Sequence, residues 1–261
     1  MKILVTNDDG VSAPGLFALV QALKEISEAE VFVLAPDHNW SACGHVKTMR
    51  RPMRVRSVEL EDGSQAWCSD GAPSDCVALA LMGAIEQEVD VVVSGINPNA
   101  NVGLDVTYSG TVTAAMEAAI NGKPGFAVSL DAPEYHQGYL DYREAAKAAV
   151  KIITTLLSKW DGQGVIPIWS INVPYRPDGD YEGVKLTRQG VRLYHDRIEK
   201  RLDPRGVPYY WIGGEPPSGI EEEGTDYGAI KQGYISVTPL QMDMTDYKRL
   251  ESLSGQLRFI G

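Results

Sequence analysis

Apolar and polar positions follow two rhythms along the chain. Short apolar runs read as strands, and between them lie segments whose apolar residues recur at helical spacing. Lys2–Thr6 (KILVT) is the first strand, and Gly15–Ile26 follows as a helix with Leu16, Leu19, Val20, Leu23 and Ile26 on one face. Glu30–Leu34 (EVFVL), Val89–Ser94 (VDVVVS), Gly125–Leu130 (GFAVSL) and Pro167–Val173 (PIWSINV) read as further strands. Ser74–Ile85, Thr111–Ile120 and Tyr142–Trp160 read as helices. The third strand is nearly all apolar, which suits burial on both faces. This alternation predicts an α/β fold, a mostly parallel sheet with flanking helices and right-handed crossovers. After about Pro174 glycine, proline and charge rise, and β-like pieces appear at Gly183–Thr187, Tyr209–Gly213 and Tyr234–Thr238. The expected division is an α/β core over 1–175 and a β-rich extension over 176–261, whose hairpins meet another subunit.

In open parallel sheets ligands gather beyond the carboxyl ends of the strands. Asn7-Asp8-Asp9-Gly10 lies there after the first strand, APDHNWSACGH after the second and SGINPNANVGLDVTYSGT after the third. Three loops therefore converge on one edge and bring Asp8, Asp9, Ser41 and Asn97. Adjacent carboxylates repel, and a divalent cation relieves the repulsion. Mg²⁺, Mn²⁺ and Ca²⁺ prefer carboxylate, amide and hydroxyl oxygens, the donors these loops offer. The alternative for the Asp pair alone is a helix cap and a solvated neighbour; the oxygen-bearing loops favour the metal.

Tyr108-Ser109-Gly110-Thr111 opens a helix, whose N-terminus offers free N–H groups and a positive dipole end to a phosphate. Ser109 and Thr111 add hydroxyls, and Gly110 lets a ligand approach the backbone. A plain N-cap explains the same residues. Gly71-Ala72-Pro73-Ser74-Asp75-Cys76 reads as helix-start chemistry, with Asp75 at most supporting the site from behind. His38, His45, His136 and His195 show no metal spacing; His38 and His45 flank the Ser41 loop, but a surface role fits each better.

Composition narrows the classes. The 261 residues are 44% hydrophobic and 23% charged, with a net charge of −11. That charge argues against general binding to nucleic-acid backbones or anionic membranes, so a bound phosphate needs a local device. No apolar run approaches the ~18 residues of a membrane span, and no secretory signal is visible. Three cysteines without finger spacing fit a reducing cytoplasm.

The segments ILVTNDDGVSAPG (3–15), APDHNWSACGH (35–45), GAPSDCV (71–77), VVVSGINPNANVG (91–103) and YSGTVTAAMEA (108–118) together resemble the SurE family, the stationary-phase survival proteins that act as metal-dependent 5′/3′-nucleotidases. AVSLD (127–131), INVP (171–174), DPRG (203–206) and GTDYGAIKQGYISVTPL (224–240) extend the resemblance to about residue 240. It implies a Rossmann-like core, one Mg²⁺ or Mn²⁺ held by Asp8, Asp9, Ser41 and Asn97, and a homodimer or homotetramer built through C-terminal segments. The family's serine is usually followed by glycine, whereas Ser41 precedes Ala42, Cys43 and Gly44; a stiffer or reshaped loop is expected. The implied reaction is hydrolysis of a nucleoside monophosphate, with polyphosphate as a possible side substrate. Asp8 or Asp9 accepts the proton of the attacking water. Asn97, Ser109, Gly110 and Thr111 hold the phosphoryl oxygens, joined by Asn101.

Rival readings differ at named features. A phospho-receiver needs an acceptor aspartate at the end of the third strand, where Ser94-Gly95 stands. A dinucleotide oxidoreductase needs GxGxxG after the first strand, and none is present. A calcium-dependent nucleoside hydrolase would release free base instead of phosphate, and a non-catalytic nucleotide-binding protein would release neither.

Overall fold

The computed structural model describes residues 1–254 and 256, so the last part of the expected 176–261 extension, residues 255 and 257–261, lies outside the described residues. Alternation within each strand sends neighbouring side chains to opposite faces of the sheet. In β1 (Lys2–Thr6) Ile3 and Val5 enter one hydrophobic cluster and Leu4 the other. β2 (Glu30–Pro36) and β5 (Val91–Asn97) divide in the same way, Val33 and Ala35 against Leu34, and Val91 and Val93 against Val92. Helices α1 (Pro14–Lys24) and α4 (Arg143–Lys159) cover the first face through Leu16, Leu19, Leu23, Ala145, Ala149 and Ile153. Helices α2 (Pro73–Leu81) and α3 (Gly110–Ile120) cover the second through Cys76, Val77, Ala80, Ala114 and Ala118.

With β3 (Val55–Glu59), β4 (Gln65–Ser69), β6 (Gly125–Asp131), β7 (Ile168–Pro174), β8 (Val184–Leu186) and β11 (Ile235–Leu240), these strands form one nine-stranded sheet, in the order β3-β4-β2-β1-β5-β6-β7-β11-β8. The run from β4 to β7 is parallel throughout. β3 joins antiparallel to β4, and β11 antiparallel to β7. The expected α/β fold is therefore present.

The division at 175 cuts across this sheet, because β8 and β11 follow it in sequence yet extend the core. Ile235 and Val237 of β11 complete the α1/α4 side, and Thr187 links the hydroxyls of Ser236 and Thr238 at 2.8 and 2.7 Å. What stands apart is the antiparallel pair β9 (Arg192–Leu202) and β10 (Pro208–Gly219). Its turn is closed by Asp203, whose Oδ1 accepts from the amides of Arg205 and Val207 at 2.8 Å each. Two helices also lie in the region expected to be β-rich, α5 (Asp226–Lys231) and α6 (Tyr247–Leu253). α6 buries no residue, so it carries no core-facing stripe for sequence reading to find. β3 was missed for a similar reason, since it is largely exposed at the sheet edge. Among the described residues no helix is long and apolar enough to cross a membrane.

Candidate active site

β1 pairs in parallel with β2 on one side and β5 on the other, and the strand order reverses there: β2 and β4 extend the sheet one way, β5, β6 and β7 the other. Such a topological switch opens a crevice beyond the carboxyl ends of the strands. At the end of β1, Asn7 closes a tight turn: its Nδ2 donates to the Gly10 carbonyl at 2.9 Å and its Oδ1 accepts from Gly10 N at 3.1 Å. Gly10 takes φ +106°, a backbone state that favours glycine. The turn delivers Asp8 and Asp9 to the crevice.

Asp8 is almost wholly buried. Its Oδ1 accepts from the Thr111 hydroxyl at 2.6 Å, and its Oδ2 from Thr111 N at 3.2 Å. Burial raises its pKa, opposed by the Thr111 hydroxyl and by amides of the first turn of α3. A Cβ on Gly110 would come within 2.8 Å of the Asp8 Cβ, so only glycine lets the helix end approach this closely. Asp9 lacks such support. Its Oδ1 accepts from Asn39 Nδ2 at 3.3 Å, while its Oδ2 is buried with no partner. Burial and then the charge of Asp8 push its carboxyl up to about 7.

Asn97 ends β5, and its Nδ2 donates to the Asn99 carbonyl at 2.5 Å, which leaves Oδ1 as the free acceptor. The loop after β2 brings Ser41. It is tied to β1 by Trp40 N on the Asp8 carbonyl at 2.7 Å, and to the start of α3 by Gly44 N on the Tyr108 carbonyl at 2.8 Å. Thr48 fastens the same loop to the first turn of α2, its amide and hydroxyl donating to Asp75 at 2.9 and 2.7 Å. Ala42 adopts φ +58°, where glycine is at ease and an L side chain is strained; the departure noted in the sequence falls on this left-handed residue.

Asp8, Ser41, Asn97, Asn101 and Ser109 line one cavity of about 460 Å³. Asp9 lines an adjoining one of about 360 Å³ with Pro98 and Tyr142. Gly110 and Thr111 are buried behind the wall. The seat expected for phosphate at the α3 N-terminus is thus partly taken by Asp8, to which Thr111 commits both its amide and its hydroxyl. Ser109 is the N-cap, its Oγ accepting from Val112 N at 3.1 Å, so its O–H proton stays available to a ligand. None of the four histidines lines the first cavity; His45, for instance, is held by Glu117 at 3.0 Å.

Among the described residues no group of three or more His, Cys, Asp and Glu is placed to hold a metal. A cation here would rest on the mixed set of Asp8, Asp9, Ser41 and Asn97. That set fits a hard divalent ion: the donors are oxygens, and the buried, unpartnered Asp9 Oδ2 beside a second carboxylate is a group that a positive charge would satisfy.

Asn101 was expected at the site, but the residues that hold it, Asn172 and Ser129, and those that face it across the cavity were not read from the sequence. Asn101 is held by a buried polar layer, its amide donating to Asn172 Oδ1 and its Nδ2 to Ser129 Oγ, both at 2.8 Å. The signal was Asn172, with Ser170, within a mainly apolar strand. Arg192, Glu215 and Pro217, from the base of the hairpin, line the cavity from the far side. There Arg192 Nε meets Asp105 Oδ2 at 2.8 Å and the Tyr194 hydroxyl donates to Asp105 Oδ1 at 2.7 Å. Nothing local in the sequence marks these as neighbours of Asp8.

Comparison with known proteins agrees with this geometry. The family model for survival protein SurE matches residues 3–196. The chain is 48% identical over 255 residues to a 5′-nucleotidase SurE of Chloroflexus aggregans, covering 97% of this chain and 98% of that one. It is 46% identical to the protein of the same name from Herpetosiphon aurantiacus, over 97% of both chains. The crystal structure of the SurE protein from Aquifex aeolicus superposes with a TM-score of 0.80 at 40% identity, covering 97% of this chain and 98% of that one. With its acidic pair at the β1/β5 switch point and a family match across most of its length, the chain belongs to the SurE family.

Proposed function

We propose that this protein is a metal-dependent phosphomonoesterase that hydrolyses nucleoside monophosphates, as a 5′-nucleotidase and with 3′-nucleotides as further substrates. The observation that carries the reading is the Asp8–Asp9 pair at the switch point, with Asp9 Oδ2 buried and unpartnered. The printed names of the relatives support the activity. Asp8, Asp9, Ser41 and Asn97 would hold one Mg²⁺ or Mn²⁺. When bound, such an ion offsets the charge of a phosphoryl oxygen and makes a nearby water more acidic.

The chain's own groups do the rest. Ser109, through its free O–H, and Asn101, at the wall, meet the phosphoryl oxygens together with the second Nδ2 proton of Asn97. Gly110 provides the close approach of α3, and Thr111 positions Asp8 without touching substrate. The proton of the attacking water passes to the acidic pair. Asp9 is better placed than Asp8 to take it, because both Asp8 oxygens already accept from Thr111. The cavity wall also carries Asp105, Asp131, Glu134 and Glu215 against the one guanidinium of Arg192. An acidic wall favours a single terminal phosphate over a polyanion, so polyphosphate is at most a side substrate. The exposed apolar residues of the hairpin, Ile198, Trp211 and Ile212, support self-association as a dimer or tetramer, and the three free thiols suit the cytoplasm.

The test is phosphate release from a panel of nucleoside monophosphates with Mg²⁺, Mn²⁺ or chelator. Activity should require the ion, and Asp8→Asn should lower it by about 100-fold or more, the scale of one lost electrostatic contact at a reacting phosphate. Activity within a few fold of wild type for Asp8→Asn would reject the reading. Release of free base would establish a nucleoside hydrolase instead, and stable binding without product a non-catalytic nucleotide-binding protein.

A further inference from the structure

Tyr108 and Tyr135 line the same cavity as Asp8 and Ser109, yet their side chains stand 60% and 81% exposed. Both rings are therefore open to solvent on the wall of the cavity that holds Asp8, where a bound molecule can reach them. The main chain at Tyr108 is fixed, its carbonyl accepting from Gly44 N at 2.8 Å, while the ring projects into solvent immediately before the phosphate-facing Ser109. Tyr135 follows β6 as the third residue of a turn closed by His136 N on the Pro133 carbonyl at 3.1 Å, with φ +56°. That position favours glycine, and an L residue in this left-handed conformation is strained. Local folding gains nothing from a tyrosine at this point. Backbone strain of this kind clusters at ligand clamps.

A cavity of about 460 Å³ is of small-molecule size, and its polar end is occupied by Asp8, Asn97 and Ser109. Within the otherwise acidic remainder of the wall, the two tyrosine rings are the surfaces on which a planar, weakly polar group can lie. We propose that Tyr108 and Tyr135 form an aromatic clamp on which the nucleobase of the substrate stacks, so that the enzyme selects a nucleotide over other phosphate monoesters. This rests on the nucleotidase reading above.

The test compares adenosine 5′-monophosphate with ribose 5-phosphate, which carries the same ester on the same sugar without a base. The preference is read twice, as the ratio of kcat/KM values in Mn²⁺ and as the ratio of calorimetric dissociation constants in an Asp8→Asn background, where turnover does not intervene. Tyr108→Ala and Tyr135→Ala should each lower the preference for the nucleotide by about 5- to 20-fold, the low end of stacking losses for exposed rings. Tyr→Phe at either position should keep it, since the ring remains. The clamp is overturned if both alanine variants retain the preference in both assays, if the two compounds lose equally, or if wild type shows no preference or binds neither. Absence of phosphate release with an intact calorimetric preference would instead sink the nucleotidase reading and leave the clamp standing.

Discussion

The rim at β1 and β5 and the β9–β10 hairpin are both built of extended chain with apolar side chains, yet they differ in almost every physical respect. Ile3, Leu4, Val5, Val92 and Val93 are fully buried, because each strand has a neighbour on both sides and a helix layer over both faces. In the hairpin Ile198 and Ile212 stand 73% and 79% exposed, and each strand pairs only with the other. The rim can therefore hold two carboxylates away from water at a fixed spacing. The hairpin is anchored at its base, through Arg192, Tyr194 and Asp105, and that base is the part that reaches the cavity. Chemistry is assigned to the over-determined region, and the exposed one supplies a wall.

The sharpest way to break this comparison is by truncation. Phe126→Ala removes a fully buried ring from β6 and should cost about 3–5 kcal/mol in denaturant unfolding. Ile198→Ala on the hairpin, measured in protein dilute enough to be monomeric, should stay within about 0.5 kcal/mol. Equal losses would mean that the hairpin is as tightly packed in solution as the core.

Arg192→Ala tests the anchor. It leaves Asp105 without its partly buried partner, at a local cost of about 2 kcal/mol. Amide hydrogen exchange at the base of the hairpin should accelerate by about 30-fold while β1 and β5 exchange as before. A matching acceleration in β1 would show that rim and hairpin open together.

Buried and exposed ion pairs should also separate by pH. Burial alone would raise the pKa of Glu117, but hydrogen bonds from His45, Lys47 and Asn121 outweigh it and hold the carboxyl below its usual range. A depressed folded-state pKa contributes stability that is present above the unfolded value and lost as pH falls through the folded one. Glu117→Gln should therefore destabilise the protein at neutral pH by about 1–3 kcal/mol and flatten the loss of stability on acidification below about pH 4. Glu199→Gln, on the exposed hairpin pair with Arg201, should leave the unfolding midpoint unchanged. A small gain is expected at the rim itself. Ala42→Gly relieves the left-handed strain at φ +58° and should stabilise by no more than about 1 kcal/mol, because glycine also loses more entropy on folding. A clear destabilisation would show that the Ala42 side chain is held by contacts that outweigh its strain.

Much of the fold was legible because period is a local property. The alternation in KILVT and VDVVVS and the helical spacing from Gly15 set β1, β5 and α1 within a few residues of their observed ends. Exposed β3, and α6, which buries nothing, escaped because their apolar faces meet little of the core; β4 and α5 escaped although largely buried, because five or six residues are too few to show a period. For the candidate site the chain order was enough to bring the loops after β1, β2 and β5 to one edge, since parallel strands put those loops together. It could not show that Thr111 binds Asp8, since the two lie 103 positions apart and both hydroxyl and helix end were equally suited to phosphate.

The sequence by itself determined the identity of the acidic pair, the oxygen-bearing loops and the sheet edge on which they gather, because each follows from short-range pattern and strand polarity. Only the tertiary structure decided which carboxylate oxygens are satisfied and which is left bare, that Arg192 and Glu215 close the cavity, and that β11 joins the core. Those outcomes depend on burial and on contacts between distant segments, and neither is written in any local stretch of chain.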